Sequence, residues 1–393
     1  MSESSAELQG GRGSVLMVCL LVALAALPDA MVPLALKAGV MDRWGVSPSA
    51  AHWFVAASLV GAFLAVPMLR RLQARFGPGQ LVAGAALING VALVALWSPV
   101  GFGTALGIRV FEGMADLLSL AVLLGLLEAG SQHRAGRRFG PAGLALMLGL
   151  AMGAVVGGTT APSIGSGVFL IGAAMCLLLA VAAAGWSAPL GRIAARQMRV
   201  AEAMARSGRR SPLWPALTFA FGDRALGAVV SVTATLYLVD ELNRSSAFVG
   251  WAVGVSLAIL ALGAWPAGLL ADRIGAIPVR VVSVVGYAGA FAALAAAPWM
   301  NTTAVLLVLV VLGVAGAGLY PTTLIMAGRA GGGPVDMGGV HAMGSLGYFV
   351  GIVGAGMMLT GGPSVGQYQA VLLMFATVYL LVNVPAVAGA GRR

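Results

Sequence analysis

The stretch "GLLADRIGA", Gly268 to Ala276, lies between two long apolar runs. A charged pair, Asp272-Arg273, confined to so short a gap marks a turn where a chain leaves lipid and re-enters it. The other half of the chain holds a damaged version, "PMLRRLQARFG", Pro67 to Gly77, with Ala74 where the acid would stand. Arg75-Phe76-Gly77 and Arg273-Ile274-Gly275 are 198 residues apart, as are Trp53 and Trp251, while Pro67 and Pro266 are 199 apart. Asp29 and Asp223, 194 apart, extend the comparison to the first span of each half. Two copies in one orientation predict two six-helix bundles related by an axis along the membrane normal, an architecture suited to alternating access around a midplane site.

Composition fixes the solvent. Of 393 residues, 60% are hydrophobic and 9% charged, with a mean hydropathy of +0.96; ordinary soluble domains carry about 25% charged residues. The expected class is an all-α polytopic membrane protein. Spans of about 20 apolar residues fall near 14–36, 50–69, 80–98, 102–127, 140–162, 166–188, 213–238, 247–270, 277–298, 302–327, 338–360 and 369–390. The run after Arg12 resembles a signal peptide, but it continues to Leu36 and reads as an uncleaved first helix. Residues 1–188 form the N-terminal bundle, 189–212 a basic connection and 213–393 the C-terminal bundle. The connection reads either as a linker or as an interfacial helix touching anionic headgroups.

An even span count puts both termini on one side, and the basic residues choose it. Eighteen of the 23 Lys and Arg fall with the termini: in the tails, in the Arg70–Arg75, Arg134–Arg138 and Arg192–Arg210 clusters, and at Arg273, Arg280 and Arg329. Lys37, Arg43 and Arg244 fall opposite; Arg109 and Arg224 lie inside spans. This bias predicts cytoplasmic termini in a bacterial inner membrane. The formal net charge of +10 is therefore topology, not a nucleic-acid surface. Cys19 and Cys176 read as packing residues, the three histidines lack ligand spacing, and no nucleophile, metal or cofactor motif is present; the reading is of a non-enzyme without a cofactor.

The motifs together resemble the major facilitator superfamily over essentially the full length. "GLLADRIG" is similar to that family's loop motif between spans two and three and its echo between eight and nine. "RVFEG", Arg109 to Gly113, is similar to its span-four motif. The glycines of span five, Gly140, Gly149, Gly153, Gly157 and Gly158, resemble the pattern of the drug-proton antiporter branch, with Ala154 where that pattern has proline. The resemblance implies that Gly268, Asp272, Arg273 and Gly275, with the partial copy Arg75 and Gly77, form a cytoplasmic gate. A carboxylate there can sit at a helix N-terminus of the opposite bundle, and the start of span five, near Arg137 and Arg138, is the expected partner. The plain alternative is a solvated helix-ending turn.

Six ionisable residues fall within spans: Asp29, Arg109, Glu112, Asp116, Asp223 and Arg224. Each costs about 2.5–3.5 kcal/mol at a helix centre on insertion scales, so each should face a partner or a cavity. Arg109, Glu112 and Asp116, at i, i+3 and i+7, share one face of span four. Asp29 is an alternative partner for Arg109, because spans one and four line the cavity in the resembled fold. A carboxylate that loses its arginine in a dry cavity takes up a proton, which links proton and substrate binding. A static ion pair that only orients helices is the competing reading. Asp223-Arg224 is expected to form a second cavity site equivalent to Asp29, the alternative being a charged cytoplasmic helix end. The partners implied are a small solute, protons and the bilayer, with the chain acting as a monomer. The function expected is proton-coupled export of a small organic solute, drug-like or a secreted metabolite such as a siderophore. Proton-symport uptake and a non-transporting sensor are the alternatives.

Overall fold

The computed structural model describes residues 3–128, 140–204, 212–330, 334–361 and 363–391. The described residues are helical almost throughout. In chain order the helices are α1 (Glu3–Ala35), α2 (Pro48–Arg75), α3 (Pro78–Trp97), α4 (Phe102–Glu128), α5 (Gly140–Ile164), α6 (Val168–Gly185), α7 (Ser187–Met204), α8 (Trp214–Ala228), α9 (Ser246–Ile274), α10 (Ala276–Ala293), α11 (Thr302–Gly316), α12 (Leu319–Ala330), α13 (Pro334–Met358) and α14 (Val365–Gly391). A π-helical turn, Leu36–Met41, extends α1, and two more, Val229–Ala234 and Tyr237–Glu241, extend α8.

Eleven helical stretches among the described residues are long and apolar enough to cross a membrane. One of them, Gly143–Gly185, has 43 residues. At 1.5 Å per residue that is about twice the hydrocarbon thickness. It turns at Gly165, whose φ of 52° suits glycine, so it crosses twice as α5 and α6. Thr302–Ala330 is a single crossing bent between α11 and α12. The result is twelve crossings in two six-helix halves.

Local sequence sets the helix starts. Ser47 accepts a hydrogen bond from the Ala50 amide at 3.3 Å to open α2, and Ser245, 198 residues on, accepts from Phe248 at 3.2 Å to open α9. The helix crossings repeat too. A methyl group on Gly149 or Gly153 of α5 would run into the α1 backbone at Ala23 or Leu27. One on Gly347 or Gly351 of α13 would run into the α8 backbone at Phe221 or Ala225. All four residue pairs are shifted by 198, so the sequence repeat is physically one backbone-to-backbone crossing used twice.

That register corrects the expected equivalence of Asp29 and Asp223. A shift of 198 sets Gly227 opposite Asp29 and leaves Asp223 one helical turn away. The connection is also more than a linker. It opens as α7, where Leu190 is fully buried against the N-terminal bundle; residues 205–211 lie outside the described ones. Ala154 is buried, and α5 runs unbroken through it.

Candidate functional site

The N-terminal bundle brings four of the predicted residues together. Arg109 Nη1 lies 2.7 Å from Glu112 Oε2, both side chains buried. These same two atoms make no well-aligned hydrogen bond, so charge rather than hydrogen-bond geometry holds the pair. Arg109 also donates through Nε to the Phe54 carbonyl at 3.4 Å and stands 5.2 Å over the Phe54 ring. Asp29 of α1 and Asp116 of α4 lie as close neighbours, near enough for their carboxyls to interact. Two ionised carboxylates offer only acceptors and repel, so a proton or a cationic group between them would relieve the contact. Asp29 and Asp116 are enclosed by protein yet keep partial contact with solvent. Glu112, Arg109 and Arg224 all lie within electrostatic range of Asp29.

Asp223 and Arg224, expected to act together, are separated by the structure. Asp223 turns into the C-terminal bundle. Arg280 of α10 donates to its Oδ2 at 2.8 Å and its Oδ1 at 2.6 Å, and the Tyr379 hydroxyl donates to Oδ1 at 2.8 Å. Arg280 is 0% exposed. It also donates to Asn383 Oδ1 at 2.7 Å and to the Leu319 carbonyl and Thr323 hydroxyl at 3.2 Å, and stacks 4.1 Å over Phe219. The expectation of Asp223 as a cavity site is therefore replaced by a closed, bidentate ion pair. Arg280, counted among the loop charges, belongs to that pair: four residues past the helix start, a full side chain reaches inward.

Arg224 stays exposed at the bundle interface. Its side chain passes close to Gly344 of α13. No described residue hydrogen-bonds or ion-pairs with it, while Asp29 and Tyr348 are within its electrostatic range. Beside it the Tyr348 and Ser231 hydroxyls are 2.7 Å apart. Ser231 sits on the π-helical turn of α8, where the widened helix shifts side chains from their regular register.

Among the described residues, the two bundles meet at the face opposite the termini. Lys37 Nζ of the α1 extension reaches Asp240 of the α8 extension at 2.7 Å, and Asp42 at 3.2 Å. Buried His52 of α2 joins Thr233 at 2.8 Å. Gly158 of α5 packs on Gly250 of α9 with no side chain between the backbones. Arg43 and Arg244, the other basic residues of this face, cap chain ends: Arg43 donates to the Leu96 carbonyl and Arg244 to the Met300 carbonyl, each at 2.6 Å.

Of the expected gate, Gly268 is buried in α9 and Gly275 has φ 97°, a conformation glycine alone adopts easily. Gly77, its counterpart, has φ −64° and needs no such freedom. Asp272, Arg273 and Arg75 are exposed. The expected partners Arg137 and Arg138 lie outside the described residues, as do the surroundings of Gly140. Gly157 packs on Met31 of α1.

Twelve crossings in two halves repeated in parallel, with charged residues of both halves at their interface, define one known architecture. The fold is that of the major facilitator superfamily. The nucleoside transporter NupG matches 97% of this chain and 100% of its own, with TM-score 0.72 and 14% identity. The xylose transporter XylE from E. coli, in a partially occluded inward-open conformation, matches 94% of this chain and 98% of its own, with TM-score 0.69 and 13% identity. A bacterial homologue of the human lysosomal transporter Spinster, inward-facing and unoccupied, matches 96% of both chains, with TM-score 0.69 and 14% identity. No protein-family model and no curated protein matches. Identities this low carry the major facilitator fold and no cargo.

Sequence reading missed Arg280, Tyr379, Asn383, Ser231 and Tyr348. One signal was present: Tyr379 and Asn383 stand four apart on one face of the last span, a polar pair that needs a partner inside the bundle.

Proposed function

We propose that this chain is a proton-coupled secondary transporter that exchanges protons for a small polar organic solute across a bacterial inner membrane, with both termini cytoplasmic. The observation that carries this reading is the meeting of the Asp29 and Asp116 carboxyls beside the Arg109–Glu112 pair. A carboxyl pair that shares a proton offers the same site to a proton or to a cationic group, but not to both at once. Mutually exclusive occupancy of one site is what couples opposed fluxes through alternating access. Partial solvent contact gives the proton a route in and out. The span-five glycines support the export direction by resemblance alone.

Proton movement in proteoliposomes that carry a lumenal pH-sensitive dye tests the reading, because exchange of one proton for a monocation moves no net charge. Wild-type proteoliposomes and protein-free liposomes receive concentration jumps of a panel of amines, amino acids, sugars and nucleosides under a set pH gradient. Exchange predicts a protein-dependent rise in lumenal pH for at least one compound, driven by an acidic lumen and absent in Asp29→Asn. No protein-dependent pH change across the panel, or an unchanged response in Asp29→Asn, rejects it. A fall in lumenal pH driven by an acidic exterior means uptake with protons instead.

A further inference from the structure

The Arg224 side chain is left over by everything described so far. An arginine within a span costs about 2.5–3.5 kcal/mol, and folds retain such residues paired or facing a cavity. The neighbouring Asp223 would be the natural partner, but Arg280 already holds both its oxygens. Arg224 is instead exposed at the bundle interface, with the Ser231–Tyr348 hydroxyl pair alongside and Asp29 of the other bundle within electrostatic range.

The charges on the two walls therefore have opposite signs. The N-terminal wall carries Asp29, Asp116 and Glu112 against one arginine, Arg109. The C-terminal wall carries Arg224, whose charge no described acid of its own bundle answers. The repeat does not impose this: Arg224 corresponds to Ala26 and Asp29 to Gly227. A pure cation placed between the walls meets the repulsion of Arg224, and a pure anion meets that of the acids. A molecule with separated charges aligns with the field and satisfies both walls. Guanidinium binds carboxylates in bidentate fashion, and hydroxyl groups beside it can complete the oxygen's hydrogen bonds.

We propose that the transported solute is a small zwitterion bridging the bundles, its carboxylate on Arg224 and its ammonium group on the Asp29–Asp116 carboxyl pair. This rests on the transporter reading and names its substrate class. It also gives the coupling a shape, because the ammonium group takes the place of the shared proton while the carboxylate ties the second bundle to the first.

Binding of ω-amino acids to the purified full-length protein, from glycine to 8-aminooctanoate, tests it by isothermal calorimetry. Each is compared with the amine and the carboxylate of the same length. The expected result is tightest binding at one chain length, at least tenfold tighter than either matched ion. Arg224→Ala should remove that preference at unchanged thermal stability, because it strips no partner from another residue, and Arg224→Lys should keep part of it. The inference is overturned if no ω-amino acid binds, if the matched amine binds as tightly at every length, or if Arg224→Ala keeps the preference. A protein-dependent proton response to amines in the panel experiment would then leave proton exchange standing without the zwitterion.

Discussion

The two buried arginines of this chain, Arg109 and Arg280, sit in opposite halves and are treated in opposite ways. Arg280 is fully buried, with a bidentate carboxylate, an amide oxygen, a carbonyl and a hydroxyl around its two terminal nitrogens and only its Nε without a partner. Arg109 has one close carboxylate in poor hydrogen-bond geometry, a long bond to a carbonyl, and two further acids nearby that touch solvent. A buried ion pair held by many hydrogen bonds is confined to one arrangement; one held by few has alternatives closer in free energy. The C-terminal cluster is thus the more firmly held of the two, and the N-terminal cluster the freer to exchange partners.

The largest effect that this contrast predicts is on stability. Arg280→Ala leaves the half-buried Asp223 without its charge partner, a loss of up to about 3–5 kcal/mol. Fluorescence-detected size-exclusion after a heat ramp should show collapse of the monodisperse peak, and the double variant Arg280→Met with Asp223→Leu should restore much of it. If Arg280→Ala melts like wild type, the cluster is not holding the bundle. Next comes Arg109→Ala, which should insert and run as a monodisperse peak while transport falls at least tenfold, since the half-buried Asp29 and Asp116 beside Glu112 offer it a route to take up a proton. Wild-type transport rates in that variant would place Arg109 with Arg280 as a static pair.

Asp116→Asn addresses the shared proton. An amide can keep a hydrogen bond to Asp29 without holding a proton, so binding should survive while its pH dependence flattens. A pH profile identical to wild type would move the coupling away from this contact. The smallest effect is expected at the gate. If Asp272 caps a helix N-terminus of the opposite bundle, Asp272→Asn forfeits an interaction of about 0.3–1 kcal/mol, a change of about fivefold at most in the balance of open states. Spin-label distances across the terminal face would show it, and Ala74→Asp in the other copy should partly reverse it.

The fold was legible because lipid imposes long apolar runs and the 198-residue repeat doubles every signal: Ser47 and Ser245 cap the same helix, and Gly149 and Gly347 make the same crossing. The site was half legible. Arg109, Glu112 and Asp116 announce themselves by spacing along one helix, which a sequence displays directly. The partner of Asp223 did not, because Arg280 lies 57 residues away on another helix and close enough to a turn to pass for a loop charge. The separation of Asp223 from Arg224 was hidden for a related reason. Adjacent residues on a helix point about 100° apart, and only the packed neighbours decide which of the two faces inward.

The seam where Gly158 of α5 meets Gly250 of α9 brings the two bundles into backbone contact, with the Val155 side chain of α5 against Gly254 of α9 one turn further on. At Gly158 itself there is no rotamer to rearrange. In alternating access, where one half tilts against the other, such a point would serve as a bearing: a smooth backbone surface carries the load while Lys37–Asp240 and His52–Thr233 make and break around it. A β-carbon there would then act as a brake, slowing the exchange between open faces while both bundles, and the charges they hold, remain intact.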